Sequence, residues 1–233
     1  MTDTTDRLLD AALMHVVFDG WSETSLKAAA SDCGMSLEEA RAVFPRGGVD
    51  MALAFHARGD ARMVEAIRAA DLSSMRFRDR VTFAVRTRLE IVEPYKEAVR
   101  RASTLFALPI HAPDGARAIW ATADAIWDAL GDASDDYNWY TKRATLSGVI
   151  SSTVLYWLGD NSEGHTATWA FLDRRIDNVM QFEKLKSQVR ENKLLQPFLA
   201  GPSWLLGRVR PPSRIPRADL PGRWRMRPDE PSS

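Results

Sequence analysis

Apolar residues recur along this chain at three- and four-residue intervals, and no run keeps the two-residue alternation of a strand, so the pattern predicts an all-α protein. Leu8, Leu9, Ala12, Leu13, Val16 and Val17 mark one face of a first helix, with Thr5 as cap and Gly20 as stop. A short second helix from about Thr24 turns Leu26, Ala29, Ala30 and Cys33 inward and ends at Gly34. Ser36 stands three residues before Glu39, the capping-box spacing in which each side chain satisfies the other's orphan backbone N–H, so a third helix opens there and closes at Pro45. Longer helices follow over about 49–70 and 75–93. Pro94 and Pro113 suit the first turns of the next two, where a missing N–H costs nothing. A polar acidic loop, Asp132 to Asp136, precedes a helix over 137–158, and after the Gly159–Gly164 break another runs from Thr166 into the Lys184–Lys193 region.

This pattern divides the chain into a three-helix unit over 1–48, a larger helical domain over 49–192, an amphipathic segment over 193–210 and a Pro/Arg-rich tail over 211–233. From Pro211 onward six prolines and five arginines in 23 residues predict an extended, disordered end.

Composition adds little until it is resolved by position. The 233 residues are 45% hydrophobic and 27% charged, enough apolar surface for a sizeable core. Lys and Arg balance Asp and Glu at 31 each, but residues 201–233 carry seven Arg against three acids, so a basic tail follows an acidic body. One cysteine, Cys33, excludes an intrachain disulfide framework and fits a reducing compartment. His15, His56, His111 and His165 lack metal-ligand spacing, and no metal or cofactor is expected. The start has no secretory signal, and no run approaches the 18 apolar residues of a membrane span. There is no G-x-S-x-G, P-loop, G-x-G-x-x-G or E-x-x-H pair, so no catalytic residue is assigned and a non-enzymatic protein is expected.

The first three helices, ending in Phe44-Pro45-Arg46-Gly47-Gly48, have the layout of a helix-turn-helix. Residues 7–55, with their Arg-Leu-Leu-Asp-Ala-Ala run, Gly20-Trp21 corner and aromatic-Pro ending, resemble the TetR family of repressors. DNA binding is not expected to follow, because the third helix offers Glu38 and Glu39 beside only Arg41, and two carboxylates facing phosphates repel.

The densest cluster is Asp136-Tyr-Asn-Trp-Tyr-Thr-Lys-Arg-Ala-Thr-Leu146, with Thr168-Trp-Ala-Phe-Leu-Asp-Arg-Arg-Ile176 beyond it. Trp139, Arg143 and Leu146 lie at i, i+4 and i+7, and Tyr140 stands on the adjacent stripe. Trp, Tyr and Arg gathered beside an acidic loop have the composition of an interaction hot spot. These two runs closely resemble the signature of the TetR-like accessory lipid-binding proteins of ubiquinone (coenzyme Q) biosynthesis, over about residues 6–209. The resemblance implies a homodimer that binds an isoprenoid lipid or quinone precursor in its C-terminal domain. It also implies peripheral attachment to a membrane and presentation of the precursor to the di-iron demethoxyubiquinone hydroxylase. The family's partner patch maps onto Trp139, Tyr140 and Arg143.

Leu194, Leu195, Phe198 and Leu199, then Trp204, Leu205, Leu206 and Val209, are bordered by Lys193, Arg208 and Arg210, the pattern of an in-plane membrane helix kinked or split at Gly201-Pro202. The combined expectation is a cytoplasmic protein held on the inner face of a membrane. Its lipid would lie against Val149, Ile150, Val154 and Trp157, with Trp120, Ile126 and Trp127 on the preceding helix, although helical period alone does not separate pocket from core. A ligand-responsive repressor and a purely structural scaffold are the alternatives.

Overall fold

The computed structural model describes residues 3–134 and 137–191. Among them every regular element is helical. The N-terminal unit comprises α1 (Asp3–Asp19), α2 (Glu23–Asp32) and α3 (Leu37–Val43). The larger bundle comprises α4 (Gly48–Ala69), α5 (Phe77–Val92), α6 (Lys96–Ala107), α7 (Ala112–Ala129), α8 (Tyr137–Gly159) and α9 (Thr166–Glu191), with short 3-10 turns at Glu93–Tyr95 and Glu163–His165.

Local chemistry explains most boundaries. The Ser36 hydroxyl accepts from Glu39 N–H at 3.2 Å while Glu39 Oε2 accepts from Ser36 N–H at 2.7 Å, the reciprocal capping box that the spacing predicts. Gly20 and Gly34 close α1 and α2 at φ near +67°, where a Cβ would be strained. Pro113 occupies the first turn of α7, and Pro94 falls in the 3-10 turn that leads into α6. Two details differ from expectation. α1 begins at Asp3, ahead of the predicted Thr5 cap, because Thr4 and Thr5 do not break a helix, and α2 opens at Glu23, one residue before Thr24, with Ser22 as its cap.

Two cores run through the molecule. One joins Leu8 and Leu9 of α1, Leu26 of α2 and Phe44 to Met51 and Phe55 of α4, and extends to Trp157 near the end of α8. The other joins Met63 and Ile67 of α4 to Val85, Ile126, Ile150 and Leu172. Helix α4, which opens at Gly48, contributes to both cores. Trp21 Nε1–H donates to the Ala98 carbonyl at 2.9 Å, which fixes the N-terminal unit on α6. Arg100 and Lys96 of α6 donate to the Leu158 and Asp160 carbonyls at 2.7 and 2.9 Å, satisfying acceptors at the C-terminal end of α8.

Candidate functional site

Helices α4 to α8 line a cavity of about 320 Å³, within the size range of small-molecule sites. Its walls are mostly apolar: Phe55, Leu89, Phe106, Ile126, Ile150 and Val154 all line it. Polar lining comes from His56, Arg88 and Thr122, which sequence reasoning did not single out, together with Ser103 and Ser151. Behind this lining the polar atoms are tied together. Arg88 Nε donates to Asp60 at 2.7 Å and its terminal nitrogen to the His56 carbonyl at 3.0 Å; Thr122 Oγ1 donates to Asp60 at 2.9 Å and lies 2.7 Å from His56 Nε2. Burial holds the His56 imidazole below its ordinary pKa, Asp60 opposes that shift, and the Arg88 charge reinforces it. With His56 neutral and Arg88 matched by Asp60, the lining presents no uncompensated charge, which suits an uncharged apolar ligand.

The expected lipid-contacting residues divide among three places. Ile126, Ile150 and Val154 line this cavity. Trp127 and Val149 line a separate cavity of about 390 Å³ between α5, α7, α8 and α9. Trp157 and Trp120 line neither. Trp157 is wholly buried in the first core, with the Lys96 ammonium 5.1 Å from its ring centroid, so it is packing rather than pocket wall. Trp120 instead meets Trp139 and Tyr140 at 6.0 and 6.4 Å between ring centroids. A single stripe on α8 serves both cavities and the core because the helix is surrounded by neighbours, so periodicity alone cannot rank its residues.

The cluster at the start of α8 is also rearranged relative to expectation. Arg143 is fully buried and Trp139 is 7% exposed, so neither presents an open surface, whereas Tyr140 is half-buried. Arg143 is held by three carboxylates: Asp124, Asp128 at 3.2 Å and Asp132 at 3.2 Å. Its guanidinium carbon lies 3.9 Å from the Trp139 ring centroid. Burial alone would raise the Asp132 pKa, but bonds from Lys142, Ser134 and Arg143 outweigh it and hold the carboxyl below its ordinary range. Asp124 and Asp128 stand four residues apart on α7 and share one face of it, and Asp132 follows in the loop beyond the end of that helix. What this corner exposes is Tyr140, part of Trp120 and the outer edges of Asp124 and Asp128.

On the N-terminal unit, Glu38 and Glu39 are both exposed on α3. Arg41 is paired with Glu23 through Nε at 2.8 Å and through a terminal nitrogen at 2.5 Å, so its charge is already answered. The expected membrane residues Leu194, Leu195, Phe198, Leu199, Trp204, Leu205, Leu206 and Val209 lie outside the described residues. Among the described residues no helix is long and apolar enough to cross a membrane.

Residues 112–183, which include α7, α8 and the Trp139–Arg143 cluster, match the COQ9 family model. The chain is 36% identical over 186 residues to the mitochondrial ubiquinone biosynthesis protein COQ9 of Drosophila melanogaster, a match covering 78% of this chain and 57% of that protein. It is 32% identical over 191 residues to the Rattus norvegicus protein of the same name, with 79% of this chain and 61% of that protein covered. The Homo sapiens protein is 30% identical, with coverage of 79% and 60%. The chain therefore spans about three-fifths of the length of these relatives. Among solved structures, a TetR transcriptional regulator from Nitrosomonas europaea superimposes with a TM-score of 0.61 at 20% identity, covering 76% of this chain and 97% of that one, which shows the fold to be TetR-like.

Proposed function

The chain is a relative of the COQ9 proteins of ubiquinone biosynthesis, and we propose that it acts in that process as a non-catalytic accessory protein whose cavity holds an isoprenoid lipid or quinone precursor. The observation that carries this reading is the 320 Å³ apolar cavity between α4 and α8, which has no uncompensated charge in its lining. A long uncharged apolar molecule gains free energy by leaving water for such walls, at roughly 25 cal/mol per Å² buried. The Tyr140 and Trp120 edges beside Asp124 and Asp128 then serve as the surface offered to a di-iron hydroxylase, with Trp139 and Arg143 holding them in place from behind. Attachment to a membrane falls to the 193–210 segment, whose apolar face and basic borders support adsorption. A homodimer is part of the same proposal.

The test is to purify the protein without detergent, extract it with organic solvent and identify the extract by mass spectrometry. An isoprenoid quinone or a precursor of one is the expected result. An empty extract followed by failure to reload with isoprenoid lipid overturns the reading.

The TetR-like fold favours a second reading, a ligand-responsive repressor. The surface of α3 weighs against it, since Glu38 and Glu39 face outward and the nearby Arg41 is neutralised by Glu23.

A further inference from the structure

The polar corner of the first cavity fixes where the proton sits on His56. Thr122 Oγ1 has one proton to give and lies 2.9 Å from Asp60 Oδ2 and 3.1 Å from Asp60 Oδ1. A carboxylate accepts only, so the Thr122 proton goes to Asp60, and toward His56 Nε2, at 2.7 Å, the hydroxyl oxygen is left to accept. Nε2 therefore carries the imidazole proton. Asp60 Oδ2 also lies 3.5 Å from Nε2, where a ring lone pair facing the carboxylate would be repelled. The Ala118 carbonyl, 3.2 Å from the same Thr122 oxygen, favours a proton on that side of the ring as well.

With the ring neutral, its second nitrogen is a bare acceptor. Nδ1 makes no hydrogen bond among the described residues, and it is not one of the four buried atoms there that are sealed off without a partner, Arg78 Nε, Thr82 Oγ1, Trp127 Nε1 and His165 Nδ1. It is therefore reachable. The His56 side chain is 21% exposed, yet its ring lies deep enough for burial to lower its pKa, so the open part faces the cavity that it lines rather than bulk water. The neighbouring lining has the same polarity. Ser103 spends its proton on the Val99 carbonyl at 3.0 Å and is left with lone pairs. The Arg88 guanidinium lies against Gly59, where an added Cβ would come within 2.6 to 2.8 Å of its carbon and terminal nitrogens, and Gly59 is not part of the cavity wall.

We propose that the first cavity selects an uncharged molecule bearing a hydroxyl, a phenol or hydroquinone in preference to the quinone or ether of the same skeleton, with that hydroxyl donating to His56 Nδ1. The inference rests on the reading of this cavity as a ligand site and sharpens it. A quinone carbonyl set against Nδ1 would bring two lone pairs face to face, whereas a hydroxyl completes the chain from ligand to His56, Thr122 and Asp60. Asp60 is a positioning residue, because taking the Thr122 proton is what decides the His56 tautomer.

The experiment uses the full chain labelled with 15N at histidine, with the His56 ring nitrogens assigned through the backbone of α4. The free protein is expected to show Nε2 protonated and Nδ1 bare. Two probes of one skeleton are then titrated, 4-heptylphenol, which can donate, and 4-heptylanisole, its methyl ether, which cannot. The expected result is a saturable upfield shift of the Nδ1 nitrogen with the phenol alone, and at least tenfold tighter binding of the phenol than of the ether, both followed through the His56 ring resonances. His56→Phe, measured by calorimetry, is expected to bring the two affinities together. A His56 ring protonated at Nδ1, an Nδ1 nitrogen that bound phenol does not move, or equal affinities in the wild type each overturn the proposal, and all three are read without the variant. Equal affinities sink this inference alone and leave the cavity a ligand site. If neither probe reaches His56 the inference also fails, and reloading with isoprenoid lipid then decides separately whether the reading of the cavity falls with it.

Discussion

Arg143 and Trp139 stand one helical turn apart on α8, and the guanidinium carbon of the first lies 3.9 Å from the ring centroid of the second. The contact is made out of water, with Arg143 fully buried, and the same guanidinium reaches Asp124, Asp128 and Asp132. A buried cation paired this thoroughly does not create an open docking surface. It fixes the first turns of α8 to α7 and to the 132–134 loop, and so determines where Tyr140 and Trp120 stand.

Arg143→Ala is therefore expected to destabilise the fold itself. It leaves Asp132, with a side chain 4% exposed, beside two further carboxylates that have lost their cation. Breaking a buried pair from one side costs about 3–5 kcal/mol, and the partial exposure of Asp124 and Asp128 places this case toward the lower end. Urea unfolding monitored by circular dichroism checks it. A variant within experimental error of wild type would refute the structural role.

The proposed partner surface is better tested one residue along. Tyr140→Ala removes a half-buried ring without opening a buried charge. It is expected to weaken hydroxylase association at least tenfold, about 1.4 kcal/mol, while leaving the melting temperature within a few degrees. Unchanged retention of the hydroxylase in a pull-down at matched concentrations would remove this corner from the interface.

His56 makes stability depend on pH in a stated direction. Its folded-state pKa is lowered, chiefly by burial, so on acidification the unfolded chain takes up the proton first, near the ordinary imidazole value of 6.5. The stability held above that value is lost as pH falls from 6.5 toward the folded pKa. His56→Gln removes the titration while keeping an N–H to face Thr122. The difference in melting temperature between wild type and His56→Gln is expected to shift against the wild type between pH 7.5 and pH 5.5. Parallel curves would show that His56 titrates alike in both states.

The helical order was legible because it rests on local rules. The Ser36–Glu39 box, the Gly20 and Gly34 stops and the Pro113 start each depend on residues a few positions apart. The cavity was legible only in part. Ile126, Ile150 and Val154 were identified from helical faces, but His56 and Arg88 face the same space from α4 and α5, and no local spacing joins them to α8. Trp157 follows the same periodicity as Val154 three residues earlier, yet it packs in a core, because the difference lies in which neighbour stands opposite. Arg143 lies deeper than its composition suggests, for a related reason. An arginine beside aromatics has the composition of a surface hot spot, and only the fold shows three carboxylates from 11 to 19 residues away closing over it.

The wall of the first cavity contains a close approach that ties ligand capacity to a single hydrogen. Gly115 of α7 faces Phe106 of α6, and a Cβ built at Gly115 would lie 2.7 Å from the Phe106 Cβ and 3.0 Å from its Cγ. Those atoms sit at the root of the side chain, so rotation about χ1 cannot withdraw the Cβ, and the two helices themselves must separate. Both residues line the cavity, so the added methyl acts where the ligand would lie. Gly115→Ala gains helix propensity, about 1 kcal/mol at most, against an overpacking cost of about 1–3 kcal/mol. The net change in stability is therefore small or unfavourable, while the cavity wall is displaced in either case. The expected outcome is a protein that folds with a melting temperature equal to or below that of wild type and retains less than half of the wild-type lipid after reloading, measured by mass spectrometry of matched extracts. Wild-type loading in this variant would mean that the ligand does not reach the Phe106 side of the cavity, and a raised melting temperature would mean that α6 and α7 part at no cost.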